Sequence, residues 1–149
     1  MPKPDYTDIF IHEAESRGMD WVRLKAQAIA ESNLDANAVS GAGAMGLTQF
    51  MPATWMWIHF DMMSWPKDTM LPNPFDPAAS IRAQAVYMRH LLRIYQSNWR
   101  AAWAAYNWGP GNLNRSGAAR TEELDMGELP LETASYIERI ERTEKRLAA

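Results

Sequence analysis

The sequence predicts an all-α fold. Apolar residues recur at three- and four-residue spacing in several segments, no segment shows clear period-two alternation, and Asp, Pro or Asp-Pro signals precede the periodic runs. The 149 residues suffice for one domain with its own hydrophobic core, so residues 1–149 are read as a single domain without internal repeats.

Asp5 to Arg17 carries Ile9, Ile11 and Ala14 among acids and predicts a first helix ending at Gly18. Asp20 can cap a second, with Val22, Ala26 and Ile29 on one face and an end near Ser32-Asn33. Residues 40–46, SGAGAMG, predict loop. Pro52 suits the first turn of a short helix through Trp55 and Ile58, with Met51 outside it. Residues 64–77 hold four prolines and predict an ordered, exposed excursion. Asp76-Pro77 then starts the longest helix, with an apolar face of Ile81, Ala85, Met88, Leu92 and Tyr95. Its other face carries Arg82, Arg89, Arg93 and Gln96. That basic stripe reads either as a solvated face or as a surface for an anionic polymer. Ser97-Asn98 interrupts the pattern, a Trp/Ala helix runs to Tyr106, and NWGPGNLNRSG predicts a turn-rich loop. A last helix spans about Leu131 to Leu147, with Tyr136, Ile137, Ile140 and Leu147 on one side.

The composition is 47% hydrophobic and 22% charged, ordinary for a soluble globular chain. A net charge of −3 supplies no bulk attraction to nucleic acid, which is not expected as a partner. No run approaches the ~20 apolar residues of a membrane span, so membrane insertion is not expected either. The start MPKPDYTDIF lacks the basic and apolar regions of a signal peptide. The expectation is therefore a protein made in the cytoplasm that reaches an outer compartment by another route, as a monomer. There is no cysteine, and His12, His59 and His90 lack ligand spacing, so neither a metal nor a cofactor is expected. The skew is aromatic: 7 Trp and 5 Tyr, which serve either as core or as a groove that stacks flat faces such as sugars.

Glu31 closes the second helix after the small apolar run AQAIA, and a segment poor in side chains follows it. A glutamate on a helix is ordinarily solvated surface. Here packing and the negative end of the helix dipole both favour a protonated carboxyl, as a general acid at neutral pH requires. Most glycosidases need two carboxylates, yet between Glu31 and Asp61 the only other one is Asp35. SGAGAMG lacks the Lys-Ser/Thr of a phosphate loop and follows no strand, so its glycines are read as admitting a ligand close to backbone. Gln49 can donate and accept hydrogen bonds to an amide or hydroxyl. Tyr106 and Asn107, at the end of a helix, read equally as structure or as site.

Together these segments resemble the lytic transglycosylase SLT domain, a relative of goose-type lysozyme. The resemblance rests on Glu31-Ser32; on GLTQ (Gly46 to Gln49) with Met51, Pro52 and Thr54; on AYNWG (Ala105 to Gly109); and on PLETASY (Pro130 to Tyr136). DPAASIRAQAVYM also resembles the helix that follows the family's DP-x-x-N-I signature. The resemblance implies a lysozyme-like domain with a groove between helices, acting on peptidoglycan glycan strands. It implies cleavage of the β-1,4 bond between N-acetylmuramic acid and N-acetylglucosamine with formation of 1,6-anhydromuramic ends. Glu31 matches the catalytic acid/base; Gln49, Tyr106 and Asn107 would line the groove, Tyr136 would approach Glu31, and Ser32 and Thr48 are further substrate-binding candidates. A phage endolysin, a virion-borne lysin or a secreted effector would suit such a chain, the first being preferred. Three positions depart from the pattern: Thr48 stands for the usual Met, Ser80 for Asn and Gln84 for Gly. The alternatives are a hydrolysing goose-type lysozyme and a non-catalytic wall-binding module.

Overall fold

Seven α-helices, one π-helical turn and one 3₁₀ turn make up the described residues, with only isolated β-bridges besides. The structure is a computed structural model describing residues 3–120 and 123–149. The chain divides into two units, one running to Tyr87 and one from Met88.

In the first unit, α1 (Thr7–Glu15) packs on α2 (Trp21–Ser32). The Asp5 carboxylate accepts from the Thr7 N–H, and Lys25 Nζ donates 2.7 Å to Thr7 Oγ1, which tethers a nearly buried ammonium to the start of α1. Asp20 caps α2 as predicted, accepting from the Val22 N–H at 2.9 Å. The buried stretch of α2 is Leu24–Ala28, broader than the expected Val22–Ala26–Ile29 face, of which Val22 and Ile29 are half-buried. The reason is side-chain size: an alanine-rich helix can be enclosed on more than one side. Gln27, inside that stretch, accepts from Gln84 Nε2, which also reaches the Leu24 carbonyl.

Met51 precedes α3 (Pro52–Trp57), and Pro52 occupies its first turn. Ile58–Met62 then widen to a π-helical turn closed by Met63 N–H to the Ile58 carbonyl, 2.9 Å. The proline-rich segment is ordered as expected and mostly exposed. It is pinned where the Trp65 N–H meets the His59 carbonyl and where Trp55 Nε1 donates to the Pro72 carbonyl, while Met70 at its tip is 90% exposed. Asp76 caps α4 (Pro77–Ile94) by accepting from the Ala79 N–H, and α4 continues across Tyr87 into the second unit. Ile81, Ala85 and Met88 are buried as expected; further along, Leu91 is buried and Leu92 half-buried. Arg89, Arg93 and Gln96 are exposed, and Arg82 is half-buried.

His59 is wholly buried. Its Nδ1 lies 2.8 Å from the Trp55 carbonyl, so Nδ1 carries the proton; Nε2 has no hydrogen-bond partner among the described residues. Burial pushes its pKa below 6.5; the Trp55 carbonyl opposes this and the Arg82 guanidinium adds to it. As pH falls through the ordinary histidine range, the unfolded chain therefore takes up this proton before the folded one. Stability should decline on acidification by at most about 1.4 kcal/mol per pH unit from this group. Urea midpoints of the parent and His59→Phe between pH 8 and 5 measure it: the variant should lose part of the acid-side slope, and equal slopes would assign it elsewhere.

In the second unit, Asn98 caps α5 (Trp99–Trp108), accepting from the Ala101 N–H. Ala101–Ala105 are all buried, Trp103 included, and the four alanines let α5 pack on α7 (Leu131–Ala148). Arg100 binds Glu141 of α7 with two bonds of 2.9 Å. The segment expected to be a turn-rich loop contains a helix instead, α6 (Pro110–Ser116). Gly109 turns the chain at φ 94°, Pro110 starts the helix, Asn112 Nδ2 donates to the Trp108 carbonyl, and Leu113 is fully buried. Gly-Pro-Gly signals a turn, yet Pro at a first helical position starts a helix just as well. A 3₁₀ turn (Met126–Glu128) precedes α7.

Candidate active site

Glu31 lies half-buried in the last turn of α2. Asn33 and Leu34 follow at φ 54° and 58°, two left-handed residues that reverse the chain at once. Neighbouring Ser32 points its hydroxyl 2.8 Å from the Leu47 carbonyl, tying the helix end to the glycine-containing segment.

That segment is bare of large side chains but rigidly bonded. Ser40 and Ala44 exchange backbone and side-chain bonds, and the Gly46 N–H meets the Ala38 carbonyl at 2.8 Å. Met45 and Phe50 trade both backbone bonds. Gly46 has φ 76°, and a Cβ there would stand 2.3 Å from the Pro74 carbonyl oxygen.

Gln49 is held at φ 55°. Its Nε2 donates to Gly46 O (2.8 Å) and Ala38 O (3.2 Å), which uses both amide hydrogens. Flipping the amide would set its oxygen against two carbonyls, so the orientation is fixed. The group left for a ligand is Oε1, an acceptor. The sequence allowed Gln49 to donate or accept; the geometry leaves accepting.

Thr48 is wholly buried, its hydroxyl 2.7 Å from Ser80 Oγ and 3.1 Å from the Ser80 carbonyl. A ligand reaches that side chain only if the loop moves. Ser80 and Gln84 were legible only as departures from the family pattern, and no signal in the sequence paired Thr48, a substrate-binding candidate, with Ser80. Phe50, Trp55 and Tyr87 form an aromatic cluster, its ring centres 5.8 and 6.0 Å from Phe50. Trp57, edge-on to Tyr87, remains 40% exposed.

In the second unit, Tyr106 and Asn107 end α5, both half-buried. Asn107 Oδ1 accepts from Thr133 Oγ1 at 2.9 Å, leaving Nδ2 as its open group, a donor. Thr133 was not picked out as a site residue, although it belongs to the PLETASY segment. Tyr136, one turn further along α7, is buried. Among the described residues no group of three or more His, Asp or Glu is placed to hold a metal ion. None of their helices is long and apolar enough to cross a membrane.

The family described as Transglycosylase SLT domain matches residues 8–126. The membrane-bound lytic murein transglycosylase F of Alcanivorax borkumensis is 34% identical over 117 residues, 74% of this chain and 22% of that protein. Peptidoglycan transglycosylase gp16 of Escherichia phage T7 is 26% identical over 133 residues, 89% of this chain and 10% of that protein. Among solved structures, an inactive mutant of the lytic transglycosylase Slt from Pseudomonas aeruginosa superposes with a TM-score of 0.81 at 26% identity. It covers 95% of this chain and 24% of its own. The chain thus spans under a quarter of the length of each of these relatives.

Proposed function

The chain belongs to the transglycosylase SLT domain family, and from that premise we propose that it cleaves peptidoglycan as a lytic transglycosylase. The carrying observation is Glu31 at a helix end that Ser32 bonds to a loop without any acid side chain. The one nearby acid in sequence, Asp35, is exposed and uses its carboxylate on the Asn37 N–H at 2.9 Å. A single carboxylate suits a reaction in which the substrate supplies the nucleophile.

Glu31 then protonates the glycosidic oxygen as the C1–O bond breaks, and the muramic N-acetyl carbonyl stabilises C1. The same carboxylate takes the proton of the C6 hydroxyl as O6 bonds to C1, which restores protonated Glu31 and consumes no water. Gln49 Oε1 accepts from an acetamido N–H or hydroxyl, and Asn107 Nδ2 donates to a carbonyl or hydroxyl of the glycan. Buried Tyr136 and half-buried Tyr106 serve the same substrate; Ser32 and Thr48 support the loop. The two units are taken as one catalytic domain, supported by a family match that runs across their boundary.

Mass analysis of digested wall tests the reaction. Anhydro-muropeptides, one water lighter than reducing-end products, are expected. Reducing ends alone would assign a hydrolysing lysozyme, and wall retention without release a binding module. The likeness to the T7 protein supports a phage setting, and within it an endolysin acting on the cell wall as a monomer is the form proposed.

A further inference from the structure

We propose that Thr48 and Ser80 act as one positioning pair that sets Gln49 and Glu31 in register. The inference rests on the catalytic reading of Glu31 and the ligand-binding reading of Gln49.

Both side chains are buried and joined three ways. The Thr48 N–H donates to Ser80 Oγ (3.3 Å), the Thr48 hydroxyl donates to the Ser80 carbonyl (3.1 Å), and the two hydroxyl oxygens lie 2.7 Å apart. Ser80 sits in the first turn of α4, itself capped by Asp76, so the anchor is rigid.

Thr48 is flanked by two residues that bear on the chemistry. On one side the Leu47 carbonyl receives Ser32, the residue after Glu31. On the other, Gln49 holds a left-handed backbone and aims its single open acceptor. Consecutive Cα atoms are a fixed ~3.8 Å apart, so a shift of Thr48 is passed to both neighbours. A misplacement of ~1 Å can cost on the order of a hundredfold in rate.

Valine at 48 would strand the Ser80 hydroxyl, and alanine at 80 would leave the Thr48 N–H without its side-chain acceptor.

The test compares the parent with Thr48→Val, Thr48→Ser, Ser80→Ala and the Thr48→Val/Ser80→Ala double variant. The readouts are kcat and KM on purified peptidoglycan, well below each melting temperature. Thr48→Val, which keeps the shape and loses the hydroxyl, should lose about tenfold in kcat, while Thr48→Ser stays within about threefold. Ser80→Ala should also lose about tenfold, and the double variant should stay within about threefold of either single variant, because both remove the same contact. Unchanged kcat in Thr48→Val, with only a lower melting temperature, would reduce the pair to packing. A double variant equal to the product of the singles would end the claim that the two act as one pair. If the parent itself releases no muropeptide, the enzymatic reading fails and the pair's role in it goes too; release by the parent with insensitive variants removes the pair alone.

Discussion

Glu31→Gln should lose about a hundredfold or more in peptidoglycan cleavage and keep its fold. The amide matches the carboxyl in shape but can neither give up a proton to the leaving oxygen nor take one from the C6 hydroxyl. A positioned acid/base contributes typically 10²–10⁴-fold. In the proposed mechanism one group has both duties, and the adjoining stretch from Ala36 to Phe60 holds no acid that could substitute. The helix end that carries Glu31 is set by Asn33 and by the Ser32 bond to Leu47, neither of which the substitution touches. Muropeptide release measured alongside thermal melting separates chemistry from folding. A variant that melts like the parent and lyses wall at the parental rate would remove Glu31 from the mechanism.

Gly46→Ala should be the more damaging change to the fold. Its φ of 76° disfavours any side chain, and the added carbon would lie 2.3 Å from the Pro74 carbonyl, backbone that cannot swing aside. Strain of ~1–2 kcal/mol for the backbone and ~1–3 kcal/mol for overpacking sum to about 2–5 kcal/mol. That is on the order of 10 °C in melting temperature for a chain of this size. Gly43→Ala is the control. Its φ is 97°, but nothing lies within 4 Å of the new carbon, so only the backbone cost of about 1 kcal/mol applies. Equal melting of the two variants would show that Pro74 yields and that the loop does not depend on this approach.

Features governed by residues adjacent in the chain were readable in advance. Asp20 caps α2, Asn33 ends it, Pro52 starts α3 and Asp76 starts α4, because a capping side chain satisfies backbone groups two or three residues away. The proposal for Glu31 starts from a local pattern of the same kind, a packed helix followed by a side-chain-poor loop. Helix α6 was missed because Gly-Pro-Gly is compatible with both a turn and a helix start, and burial of Leu113 decides between them. The partners of Thr48 and Gln84 lie 32 and 57–60 residues away in sequence. No periodicity carries such information. Gln49 falls between these cases: its side-chain type was legible, but the loss of its donors to Ala38 and Gly46 depends on the folded loop.

The proline-rich segment has one further consequence, for how the chain can acquire new parts. Its stem is held by Trp65 on His59 and by Pro72 on Trp55, and Pro74 walls in Gly46. Between those fastenings Pro66–Met70 are exposed, with a single short-range backbone bond from Thr69 to Pro66. Added length there disturbs neither the loop beside Glu31 nor the aromatic cluster. The tip is therefore a graft point, at which an epitope or a small wall-anchoring module can be spliced into the chain without rebuilding what lies beneath it.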